Sequence, residues 1–228
     1  MTEKAIIFDS GCLISFTMNG LTNYLEKLKG IFKGKFLITE EVKQEIIDKP
    51  IKIKRFELEA IRLKNLLDKG VLEMPSALGI NTAEITTKAK EITDTMNSTF
   101  ITPKKPVHLV DMGETSCVAL SLMLSEKGIT NVVAIDERTL RSFIEKPEDL
   151  KKYLQKKLHS TITPKTQNYK LFNKVKMIRS AELIYVAYKK GLTEFKPTPQ
   201  ALDALLYAVK FKGCAISGDE IRQIEKLR

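Results

Sequence analysis

Two short apolar runs, each emptying directly into a carboxylate, constrain this chain more than any other feature. Residues 4–8, KAIIF, end in Asp9-Ser10-Gly11, and the run VVAI, which follows Gly128 and Thr130, ends in Asp136. Short apolar runs bounded by turn formers are the pattern of strands buried on both faces. Lys35 to Ile38 form a second short strand, and Thr39 then opens a helix whose Val42, Ile46 and Ile47 face inward and which carries Glu45. Strands alternating with helices predict an α/β fold of three layers, α/β/α, with a mostly parallel central sheet. In such sheets the functional crevice lies outside the carboxyl ends of the strands, where both aspartates stand.

The remaining elements follow from the same periodicities. Residues 53–69 predict an amphipathic helix stopped by Gly70, and VLEM a strand closed by Pro75. A helix is expected from Thr82 to Ser98, then a stiff segment across Pro103 to Pro106, then a helix opening at Asp111-Met112-Gly113-Glu114. Residues 140–175 are lysine-rich and predict a helix followed by a polar, irregular excursion. From Arg179 helices return, ended by Gly191 and Gly213, and a last helix is capped by Ser217. The chain reads as one domain over 1–228, in which 179–228 is a helical C-terminal extension packing on the core.

With 228 residues, 43% of them hydrophobic, the chain can bury a substantial core. No apolar run approaches the ~18 residues that cross a bilayer, and the start resembles no secretory signal, so a cytoplasmic protein without membrane contact is expected. Cys12, Cys117 and Cys214 are widely spaced and odd in number, which predicts buried thiols rather than disulfides or a zinc ribbon. Lys and Arg number 38 against 28 acids, a net charge of +10 that favours polyanionic partners and equally serves solubility.

Strand-end Asp9 and Asp136 with helix-borne Glu45 and Glu114 supply the oxygen ligands that Mg²⁺ or Mn²⁺ prefer. Such ions polarise a phosphodiester and activate water without any serine or histidine nucleophile. Each acid also has a structural reading: Asp111 with Glu114 fits a capping box, Asp136 can cap the helix beginning at Glu137, and Glu45 can be a solvated helix charge. Their joint order favours the metal reading over any one of them alone. Arg138 reads as a phosphate contact or, as the more ordinary role, a surface salt bridge, and His108 and His159 as isolated residues.

The run AIIFDSGCLISF resembles the opening motif of PIN (PilT N-terminal) domains, and TEEVKQEI resembles their second, with Val42 and Glu45 in Val-x-x-Glu spacing. LVDMGETSCVALSLMLSEKG followed by VVAIDERTLR is similar to the third and fourth, in the Gly-Glu variant related to the VapC-like toxins of toxin–antitoxin pairs. RSAELIYVAYKKGL and LDALLYAVKFKGCAISGDEI are similar to the tail of that subgroup. The resemblance implies an endoribonuclease dependent on Mg²⁺ or Mn²⁺, a toxin or RNA-processing role, RNA as substrate, an antitoxin partner and a homodimer. It makes Asp9, Glu45, Glu114 and Asp136 metal ligands, Ser10 an assisting hydroxyl and Asp111 a weaker fifth ligand. Residues 80–106 and 140–178 exceed a compact PIN toxin and read as insertions, the second an RNA-gripping arm or a solvated surface.

Other readings fare differently. A haloacid-dehalogenase-type phosphatase needs a second aspartate where Gly11 stands, and a dinucleotide-binding fold needs a glycine-rich turn after the first strand. A receiver domain would carry paired N-terminal acids. The rival of a different class is a PIN-like RNA-binding or scaffolding protein without turnover.

Overall fold

The structure, a computed structural model, describes residues 3–227. Four strands, β1 (Lys4–Phe8), β2 (Lys35–Leu37), β4 (Thr130–Ala134) and β6 (Met177–Ile178), form one sheet in the order β2-β1-β4-β6. Every neighbouring pair is parallel: Ile6 lies beside both Phe36 and Val132, and Ala134 beside both Phe8 and Ile178. Ile7, Phe8, Phe36, Leu37, Val133 and Ala134 are buried, as a parallel sheet covered on both faces requires. The fold is the expected α/β type, three layers around an all-parallel sheet.

Helices α1 (Ser10–Met18), α2 (Thr22–Ile31), α4 (Glu57–Asp68) and α9 (Ser180–Lys189) pack among themselves, and α10 (Pro199–Phe211) joins α9 and α11 (Gly218–Lys226). Across the sheet, α6 (Met112–Glu126) lies on β1 and β4 and is covered by α5 (Thr82–Asn97). Helix α6 is buried at seven successive positions, Thr115 to Ser121, because it is enclosed between the sheet and an outer helix. In α5 only one stripe is buried, Ile85, Ala89, Ile92 and Met96, at the helical spacing of a face turned inward. Among the described residues no helix is long and apolar enough to cross a membrane.

The expected strand at VLEM is absent. Val71 and Leu72 donate their amides to Leu66 O to close α4, and Pro75 starts a 3₁₀ turn, so only Glu73 is left to pair with the sheet edge. It does so as one parallel bridge beside Leu37. Conversely β6, which completes the sheet, lies at the end of the 140–178 segment read as an insertion, where no strand was expected; two residues are too few to show a period. A small antiparallel pair, β3 (Phe100–Ile101) with β5 (Thr163–Pro164), was likewise not legible. It ties the two long segments that resemblance marked as insertions to each other.

Residues 138–172 comprise α7 (Arg138–Glu145), α8 (Pro147–Leu158), β5 and a 3₁₀ stretch Thr166–Phe172. Leu140, Phe143, Leu150, Leu154, Ile162 and Phe172 are buried within the same apolar core as the sheet. Phe143 anchors them, with its ring centroid 6.0 Å from Phe100, 6.1 Å from Tyr169 and 5.8 Å from Phe172. The lysines of this stretch therefore coat elements whose inner faces belong to the core. Cys12, Cys117 and Cys214 are free and buried.

Candidate active site

Asp9 follows β1 directly and is 3% exposed. It is the N-cap of α1: its extended backbone turns the chain, and its Oδ2 accepts the Gly11 amide at 3.1 Å. That bond fixes the carboxylate and leaves Oδ1 buried with no hydrogen-bond donor. Burial pushes the Asp9 carboxyl up to about 7, and the charges of Glu45 and Asp136 push the same way, against the amides of Gly11 and Ser10. Ser10 is buried at the first position of α1, with its amide turned toward Asp9.

Glu114 stands in the first turn of α6, where its Oε2 accepts the Asp111 amide at 3.4 Å. Burial raises its carboxyl to about 8, and Asp9, Glu137 and Asp111 add repulsion. Glu45 is carried by a π-helical turn, Gln44–Asp48, that follows the short helix α3 (Glu40–Lys43), rather than by a continuous α-helix. The widened turn places the Glu45 carboxylate against Gly113, so that a Cβ on Gly113 would sit 2.8 Å from Oε2. The starts of α3 and α6 are tied together by the buried contact between Thr39 Oγ1 and Ser116 Oγ at 2.6 Å, and Ser116 Oγ donates to Gly113 O at 2.6 Å.

Asp136 lies two residues beyond β4 and is 2% exposed. It does not cap the helix beside it, because Glu137 does, accepting the Leu140 amide at 2.8 Å. Both Asp136 oxygens go instead to Ser180 at the start of α9: the Ser180 amide donates to Oδ1 at 2.8 Å and its hydroxyl to Oδ2 at 2.7 Å. Nothing in the sequence pointed to a partner 44 residues away; the only signal was a serine opening a helix.

The structure thus gathers Asp9, Glu45, Glu114 and Asp136 at the carboxyl edge of β1 and β4, each close enough to Asp9 to act on it or be acted on by it. Asp111 is turned away: its side chain is 86% exposed and meets His108 Nε2 at 3.0 Å, so that histidine is not isolated. Arg138 forms no ion pair among the described residues and lies over the Tyr153 ring, 5.3 Å from its centroid.

Whether these acids suit a divalent cation can be judged from their donors. None of the four is in an ion pair with lysine or arginine among the described residues, Asp9 Oδ1 has no donor, and burial with neighbouring charges raises the proton affinity of Asp9 and Glu114. That is the electrostatics of a cation site. The side chains as they stand do not form a finished cage, since among the described residues no group of three or more His, Cys, Asp or Glu has ion-holding spacing. Mg²⁺ is commonly held by one or two carboxylates with water completing the shell, an arrangement that does not require such a cage.

No protein-family model matches the chain, and comparisons with curated proteins and with solved structures found no match either.

Proposed function

We propose that this protein is an endoribonuclease dependent on Mg²⁺ or Mn²⁺, hydrolysing RNA phosphodiester bonds at the cluster formed by Asp9, Glu45, Glu114 and Asp136. The observation that carries the reading is the buried, donorless Oδ1 of Asp9 amid carboxylates that repel it. A polar atom of that kind costs on the order of 1–3 kcal/mol or more unless something fills its lone pairs. The reading agrees with the activity implied by resemblance to PIN domains, and with a +10 chain.

A bound divalent ion would supply a polarised phosphoryl oxygen and a water of lowered pKa. The chain's own residues do the remaining work. Gly11 holds one Asp9 oxygen and leaves the other without a donor; Ser180 clamps Asp136 in one orientation while leaving each of its oxygens a second lone pair. Glu114, its carboxyl raised to about 8 by burial, would help hold the ion and would give up its proton to do so. Glu45, on the exposed side, reaches in over Gly113, whose missing side chain leaves room for it.

A second reading, an RNA-binding or scaffolding protein without turnover, is favoured by the lack of a finished ion cage among the described residues and by the occupied Asp136 oxygens. Incubation of single-stranded RNA with the purified protein and Mn²⁺ or Mg²⁺ separates the two. Cleavage that is lost in Asp9→Asn supports the nuclease; intact RNA with both ions, and identical melting of both proteins with and without metal, supports the binding protein.

A further inference from the structure

Beside the carboxylates lies a cleft of about 600 Å³, between α7 and the start of α8 on one wall and the end of α10 and start of α11 on the other. It adjoins the acidic cluster through the backbone. Ala215, which lines it, donates its amide to Asp136 O at 3.0 Å, and Arg138 follows Glu137 at the opening of α7. The cleft is polar and charged, and its charges do not balance. Its three acids are already engaged: Glu145 with Arg141 at 3.2 Å, Glu220 with Arg179 at 2.7 Å, and Asp149 with Lys152 at 3.8 Å. Arg138, Lys146 and Lys210 line the same space and form no ion pair among the described residues. Arg141 Nε, in the same wall, is buried without an acceptor.

We infer that this cleft grips phosphate groups of the RNA strand and so delivers the strand to the neighbouring carboxylates, an inference that rests on the proposed ribonuclease reading. Unpaired cations beside an acidic centre are what a polyanion needs in order to approach carboxylates that would otherwise repel it. Arg138 is prepared for the task, because stacking on Tyr153 restrains the guanidinium while its N–H edge stays available to phosphate oxygens. The phosphate is either an internal diester or a terminal monophosphate, which share this chemistry.

The test is fluorescence anisotropy with a short single-stranded oligoribonucleotide, in the Asp9→Asn background with Mg²⁺ so that the probe is not consumed. Arg138→Gln with Lys210→Gln is expected to weaken binding roughly tenfold or more at moderate salt, and to flatten the dependence of log Kd on log salt by about 0.7 per lost contact. The control is Lys4→Gln with Lys33→Gln, which removes the same charge at the opposite edge of the sheet. Equal weakening in the control, or unchanged binding in the cleft variant at an unchanged melting temperature, would overturn the inference. Probes bearing a 5′-phosphate or a 5′-hydroxyl divide the two sources: a preference abolished by the variant assigns the terminal group, and equal loss assigns internal diesters. Should the cleft variant lose binding while the parent chain cuts no RNA with either ion, the cleft stands and the nuclease reading falls. Should the parent cut RNA, and Arg138→Gln with Lys210→Gln leave both binding in the Asp9→Asn background and cleavage in the otherwise unchanged parent as they were, the cleft alone falls.

Discussion

Gly113 and Glu45 meet so closely that the space of a Cβ on Gly113 is taken by the Glu45 carboxylate, 2.8 Å away. The neighbour that must yield is the free end of a flexible, exposed side chain, so Gly113→Ala is expected to cost little stability. Alanine's better helix propensity offsets part of the displacement, and the net change should stay within about 1 kcal/mol. The displaced carboxylate should nevertheless be felt at the site. We expect the Mn²⁺-induced rise in melting temperature and the RNA cleavage both to fall, and a variant with full metal response would show that Glu45 does not take part.

The raised Asp9 carboxyl makes metal-free stability depend on pH. Unfolded, this group titrates near 3.8; folded, near 7. Between those values folding takes up a proton, so its contribution is complete below about 4 and is lost as pH rises through 7. Glu114, raised to about 8, acts in the same direction and extends the window upward. Urea unfolding in EDTA should therefore show stability falling from pH 5 to pH 8.5 by a few kcal/mol on the order set by ~1.4 kcal/mol per pKa unit. In Asp9→Asn the fall should be shallower and the metal-free protein more stable at the alkaline end. Manganese, which competes with protons, should stabilise the parent more at pH 8 than at pH 5.5, and a metal response independent of pH would contradict the site.

Ser180→Ala removes the hydroxyl from Asp136 Oδ2 and keeps the amide on Oδ1. A buried charged acceptor that loses one donor is expected to cost about 1.5–3 kcal/mol of stability. Cleavage should drop through a looser Asp136, whereas Ser180→Thr should keep the hydroxyl and more of the activity. If alanine leaves both unfolding and cleavage unchanged, the clamp is incidental.

Phe143→Ala opens a hole among Phe100, Tyr169 and Phe172, where the lysine-rich segment meets the core. A loss of about 3–5 kcal/mol in a single unfolding transition is expected. Two separate transitions would mean that this segment folds as a unit of its own.

Alternation of apolar runs and helical stripes was enough to define the layered parallel architecture. Burial of Ala5 to Phe8 and of Val133 to Ile135 is a local, repeated requirement that leaves its mark on successive residues of the run. The same locality placed Asp9 and Asp136 past strand ends and Glu114 in a helix's first turn. What local pattern cannot carry is pairing across the fold. Strand β6 is two residues long and exists because Val133 and Ile135 offer edge groups to Lys176 and Ile178. The strand expected at VLEM dissolved because the close of α4 and Pro75 claimed its ends. The Asp136 clamp by Ser180, the seat of Glu45 against Gly113 and the donorless Asp9 oxygen are likewise tertiary facts. Each depends on two distant segments arriving within hydrogen-bond or van der Waals range, and only the packed core fixes such distances.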